Sequence, residues 1–111
     1  MTGLVHKIQV KCFLDSKVTT RHDGEVLREH LVAHWDAVDH FEIDFQNLQI
    51  ASVSFIDEAF GMLAERYSKR DINRKVKMDN MNEFDRQMCD SILNSRLQQH
   101  KRRRAAPEET S

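Results

Sequence analysis

The sequence predicts an α/β domain with a small, mainly parallel sheet in which strands and helices alternate. Three segments of period two, at 8–13, 41–45 and 74–79, are interleaved with three stretches whose apolar residues recur every three or four positions, at 20–37, 54–68 and 82–99. Each helical stretch opens on a capping signature. Each connection between strands is long enough to hold a crossover helix, which requires parallel pairing and a right-handed path. With both crossover helices on one face, the strand order is 1-2-3, with room for extra strands near Met1 or Lys17.

The first strand rests on Ile8, Val10 and Cys12, which alternate with polar residues. Thr20-Arg-His-Asp23 then reads as a capping box, and Leu27, Leu31, Trp35 and Val38 form one apolar stripe behind it. Gly24 falls in the first turn, where it costs little. Phe41-Glu-Ile-Asp-Phe45 alternates without exception and is the clearest strand. Leu48, Ile50 and Val53 follow in a segment too short for a helix and are expected to plug the edge of the core. Ser54-Phe-Ile-Asp57 is a second capping signature, opening a helix with Ile56, Ala59, Phe60, Leu63 and Tyr67 on its stripe. Val76 and Met78 mark a third strand whose charge suits a sheet edge. Asn82 caps a last helix, with Phe84, Met88, Cys89, Ile92, Leu93 and Leu97 expected on the inner side. Strands of a parallel sheet covered on both faces read as continuous apolar runs. These alternate instead, so one face of the sheet is expected to be thinly covered or to bind another protein.

The 111 residues suffice for one core and not for two. Residues 1–100 are expected to form the domain, and residues 101–111 a basic, then acidic, flexible tail. Apolar runs are far shorter than the roughly 20 residues that span a bilayer, and the start lacks the pattern of a signal peptide. A cytoplasmic location without membrane binding is therefore expected. Lys101 to Arg104 supply four of the 17 basic residues, leaving 13 basic against 16 acidic in residues 1–100. The body thus lacks the concentrated positive charge that duplex binding requires, and only the tail could touch phosphates. A nucleic-acid-associated accessory protein using that tail is the alternative function.

Chemistry-bearing patterns are few. Gly3, Gly24 and Gly61 are the only glycines, which excludes a P-loop and a dinucleotide fingerprint. Ser52 and Ser54 have no glycine elbow around them. Cys12 and Cys89 are expected to be reduced, buried apolar fillers. His30 and His34 share a helix face but lack the glutamate arrangement and thiols of a zinc motif, so no metal and no cofactor are expected. Asp57 and Glu58 are adjacent, about 100° apart on a helix, and do not form a paired carboxylate site in themselves. Asp57 reads as a cap, and Glu58 as a first-turn residue meeting the helix dipole. Ser54 reads either as an N-cap or as a phosphate acceptor at a helix start, where free amides favour negative charge.

Ile43-Asp-Phe45, Leu48, Ile50 and Ser52-Val-Ser-Phe-Ile-Asp-Glu-Ala-Phe-Gly61, preceded by Thr20-Arg21 and followed by Asn80, resemble the signature of the STAS-like family designated DUF4325. The resemblance covers about residues 19 to 92, with Ile56 where the family has alanine. It implies a STAS-like fold related to the bacterial anti-sigma factor antagonists, which are non-enzymatic and bind kinase-type partners. Set against the Asp-Ser-Ser-Gly pattern of those antagonists, Ser52 stands at the aspartate and Val53 at the phosphorylated serine. Ser54 then stands at the next serine and Phe55 at the glycine. A phosphoacceptor here would accordingly be Ser54. The resemblance implies a bacterial cytoplasmic regulatory module acting by protein contact, with a histidine-kinase-like ATPase as partner. Ser54, Phe55, Asp57 and Glu58 are expected at its partner-binding surface, with Phe55 at the rim of the core.

Overall fold

The computed structural model describes residues 4–14, 20–48 and 52–110, with side chains through Lys101. Its strands are β1 (Val5–Gln9), β2 (His40–Asp44) and β3 (Val76–Asp79). Its helices are α1 (Val10–Leu14), α2 (Arg21–Ala33), α3 (Val53–Ala59), α4 (Lys69–Lys75) and α5 (Glu83–Thr110), with 3-10 turns at Trp35–Ala37 and Gly61–Glu65. The sheet has the order β1-β2-β3 and is parallel throughout. This is the α/β architecture that the alternating periodicities predict.

Register fixes the two faces. His6, Phe41 and Val76 lie in one row, and Ile8, Ile43 and Met78 in the next. Phe41 and Ile43 are fully buried beneath the helices, together with Leu27, Leu31, Phe55, Ile56, Phe60 and Leu63. The opposite face carries the row Lys7, Glu42, Lys77 and the row Gln9, Asp44, Asp79. Lys7, Gln9, Lys77 and Asp79 are exposed, so this polar face is open, as strand alternation requires.

Several expected boundaries move for tertiary reasons. The first strand occupies Val5–Gln9 instead of 8–13 because it ends where β2 ends, at the pair Gln9 and Asp44. Val10 remains buried as the first residue of α1, whereas Cys12 is exposed, not buried. The helix expected over 54–68 breaks after Ala59 and continues as a 3-10 turn from Gly61. A Cβ at Gly61 would lie 2.5 Å from Asp57 Oδ1 and 3.1 Å from Ile92 Cγ2, so the glycine lets α5 approach there. The third strand loses its first two residues to α4, whose start is set by Ser68 Oγ accepting the Asp71 N–H at 3.2 Å. Lys75, at the end of α4, is buried and donates its Nζ to the carbonyls of Trp35 (2.8 Å) and Val38 (2.6 Å). It thereby ties α4 to the turn preceding β2.

Thr20 and Asp23 form the expected capping box, with bonds of 3.2 and 3.1 Å. Asn82 caps α5 through the Asp85 N–H at 2.8 Å. The inner stripe of α5 is Asp85, Cys89 and Leu93, with Met88, Ile92 and Leu97 partly buried; Phe84 is 73% exposed and faces outward, contrary to expectation. The helix also passes its expected end near residue 99 and runs through the basic segment to Thr110. Lys, Arg and Ala favour this continuation. Leu48 packs against the core, but Val53 is exposed at the start of α3. Ile50 and the extra strands expected near Met1 and Lys17 lie outside the described residues.

Candidate functional site

The segment from Ser52 to Glu58 is held from both sides by arginines. Ser52, not Ser54, is the N-cap of α3: its Oγ accepts the Phe55 N–H at 3.1 Å. The helix therefore starts two residues earlier than the Ser-Phe-Ile-Asp reading places it. That shift leaves the Ser54 hydroxyl free to face α2, where Arg21 donates to its Oγ at 3.2 Å. A guanidinium cannot take a proton from serine, so this hydroxyl is not activated as a nucleophile by its partner.

Phe55 is fully buried and belongs to the core instead of its rim, which removes it from the expected contact surface. Its backbone lies where α2 and α3 approach closely, at Gly24. A Cβ on Gly24 would lie 2.5 Å from the Phe55 carbonyl oxygen and 2.9 Å from Glu58 Cβ. Gly24 is therefore a contact between helices and more than a tolerated first-turn residue.

Glu58 bridges this contact. Its carboxylate accepts from Arg28 at 2.8 Å and from Arg21 at 2.6 Å, and its backbone carbonyl accepts from Arg28 at 2.6 Å. The Arg28 hydrogen bond chiefly holds the Glu58 carboxyl below the usual carboxylate range, outweighing the opposite effect of burial, with Arg21 assisting. Asp57 is not a cap. It receives a two-pronged contact from Arg96 of α5, at 2.8 and 2.6 Å. The hydrogen bond from Arg96 lowers its pKa against the opposing effect of burial and raises that of Arg96 in turn. The two adjacent carboxylates thus clamp different helices, Glu58 to α2 and Asp57 to α5.

Ser54, Asp57, Val53, Arg21, Arg96 and Ile92 line one cavity of about 340 Å³. A larger open groove of about 1050 Å³ runs between Ala64–Lys69 and α5 and shares no residue with it. The smaller cavity is the more informative because Ser54, Arg21 and the Asp57–Arg96 pair meet there. Reading the sequence alone missed Arg28 and Arg96. The spacing of seven from Arg21 to Arg28, two turns along α2, was the available signal, and nothing local connects Arg96 to Asp57.

Asp44 and Asn80, at the ends of β2 and β3, are joined by a hydrogen bond from Asn80 Nδ2 to Asp44 Oδ1 at 2.8 Å, and the same oxygen accepts the Gln46 N–H at 2.9 Å. Asn80 adopts φ of 58°, a left-handed conformation that asparagine tolerates better than most residues. Among the described residues, no group of three or more His, Cys, Asp or Glu side chains is arranged to hold a metal ion. Burial pushes the Cys89 thiol up to about 12.

The family described as a STAS-like domain of unknown function, DUF4325, matches residues 23–86, more than half of the chain. The chain belongs to this family. The match runs from the first turn of α2 into the first turn of α5, so the DUF4325 region holds Arg28, Ser54, Asp57, Glu58 and Asn80 but neither β1 nor Arg96. No curated protein and no solved structure matches the chain. A regulatory role by protein contact accords with a STAS-like domain. Among the described residues, no helix of this DUF4325 protein is long and apolar enough to cross a membrane.

Proposed function

We propose that this DUF4325 domain is a non-enzymatic, cytoplasmic regulatory module of a bacterial cell. It binds a histidine-kinase-like ATPase through the surface around Ser54, Asp57 and Glu58. The observation that carries this reading is the position of Ser54, half-buried beside Arg21 in a cavity whose one carboxylate, Asp57, is already paired with Arg96. Such a surface is polar and preorganised, and Val53, 57% exposed beside it, supplies an apolar contact. Phosphorylation of Ser54 would add about −1.5 to −2 charges next to Arg21 and compete with Glu58 for that guanidinium. The clamp between α2 and α3 would then loosen, and the partner would meet an altered surface.

The test is calorimetric titration of the full chain with a histidine-kinase-like ATPase domain from the same genome. Glu58→Ala is a poor probe, because Glu58 holds α2 and α3 together. Val53→Arg changes an exposed side chain and leaves the clamps in place. Wild-type protein should bind, Ser54→Glu should bind differently, and Val53→Arg should weaken binding by tenfold or more, about 1.4 kcal/mol, without lowering the melting temperature. Absence of binding, or equal affinity of all three proteins, would reject this reading.

A further inference from the structure

Three imidazoles meet where β1, α1 and α2 join, remote in sequence from the serine site. His6 Nε2 of β1 lies 2.9 Å from His30 Nε2 of α2. His34, which caps the C-terminus of α2 one turn beyond His30, stacks on His6 with ring centroids 5.6 Å apart and lies 4.4 Å from the His30 ring. Phe13 of α1 covers His30 at 4.8 Å, and Phe41 of β2 meets the His6 ring edge-on at 5.7 Å. The His34 Nδ1–H donates to the His30 carbonyl at 2.9 Å, which fixes the proton on that nitrogen.

The contact between His6 and His30 imposes a proton count. Two Nε2 atoms at hydrogen-bond distance need one N–H and one lone pair between them, so one of the rings must be neutral. A second proton would set two N–H groups against each other and place two like charges in contact. The unfolded chain has no such restriction. We infer that the His6, His30 and His34 cluster is a proton-sensitive latch, holding β1 and α1 on α2 at neutral pH and releasing them on acidification.

Among the described residues, the surroundings offer little compensation for added charge. On β1 and β2, Lys7, His40 and Glu42 alternate to the opposite face of the sheet, and His40 contacts Asp39 and Glu42 there. Arg28 of α2 is engaged by Glu58, and Cys12 of α1 donates its thiol to Gln9 at 3.0 Å. Lys11, Glu29 and Asp36 are exposed. The pKa of His30 is lowered by burial first, then by the charges of His34 and His6, with no carboxylate among the causes. A histidine with a lowered folded pKa stabilises the fold above the unfolded value of about 6.5, and that stabilisation is lost as the pH falls below it. Release of β1 would uncover one edge of β2, a template for pairing with another strand.

The experiment is hydrogen exchange of the full chain at pH 7.5 and 5.5, in EDTA and corrected for intrinsic exchange rates. Amides of residues 4–14 should gain exchange at pH 5.5 relative to those of α3, by up to about tenfold, the limit for one histidine one pH unit below its unfolded pKa. In His30→Gln this difference should disappear. Equal protection of residues 4–14 at both pH values, or an undiminished pH effect in the variant, would overturn the latch. If His30→Gln does not fold, NMR titration of wild-type His30 decides. A midpoint below about 6.5, with loss of the His6 contact as it titrates, supports the latch; a midpoint at or above that value refutes it.

Discussion

At the residue scale, neighbours in sequence separate by what they touch. Asp57 and Glu58 both have lowered pKa values because arginines bond to their charged forms. Folding therefore binds fewer protons at these sites than the unfolded chain does, and their stabilisation is present above the ordinary carboxylate range and lost as the pH falls through the folded values. Asp57→Asn should lower stability at pH 7 by about 1–3 kcal/mol, the cost of unpairing a partly buried, hydrogen-bonded ion. Below pH 3 its difference from the wild type should shrink, and urea denaturation at both pH values checks this. The two thiols also separate. Cys12 is exposed, while the Cys89 thiol is buried and pushed up to about 12. Alkylation of the native protein at pH 8 should modify Cys12 alone, and mass spectrometry of the labelled peptides would show any modification at Cys89.

At the scale of elements, a cap and a close contact dominate. Ser52 caps α3, whereas Ser54 lies inside its first turn. Ser52→Ala should cost about 1 kcal/mol. Ser54→Ala should cost less, because it removes one half-exposed bond to Arg21. Thermal melts of the two variants would reverse in order if the cap were at Ser54. Alanine is worth up to about 1 kcal/mol more than glycine inside a helix. Gly24→Ala should nevertheless destabilise, by about 1–3 kcal/mol, since its Cβ would meet the backbone of α3. A variant as stable as the wild type would mean that α2 and α3 can part there without loss.

At the scale of the whole molecule, the sheet is covered on one face by helices and left polar on the other, so the core lies entirely between β1–β3 and the helical layer. The end of α5 adds length to this frame. Lys101 is exposed, and the core cluster ends with Leu93 and Leu97. Deleting residues 101–111 should therefore shift the melting temperature by less than about 5 °C, which corresponds to roughly 1 kcal/mol for a domain of this size. A larger loss, read by calorimetry, would mean that the helical extension docks on the body.

The alternation of Phe41, Ile43 and Phe45, the stripe of Leu27, Leu31 and Trp35, and the capping box at Thr20 were legible in the sequence because each depends on residues within one turn or one strand. The parallel order was legible too, since connection length and handedness leave few alternatives. Tertiary structure decided what depended on distant partners. β2 set the end of β1, Gly61 and α5 broke the helix after Ala59, and the Trp35 and Val38 carbonyls drew in Lys75. The candidate site divided in the same way. Its serines and carboxylates stood together in the sequence, but Arg21, Arg28 and Arg96 reach them across 30 to 39 residues. His6 likewise meets His30 from 24 residues away. Periodicity records which side of an element is apolar. It carries no record of which charged side chain a folded neighbour will bring within hydrogen-bond distance, because that depends on how the helices pack.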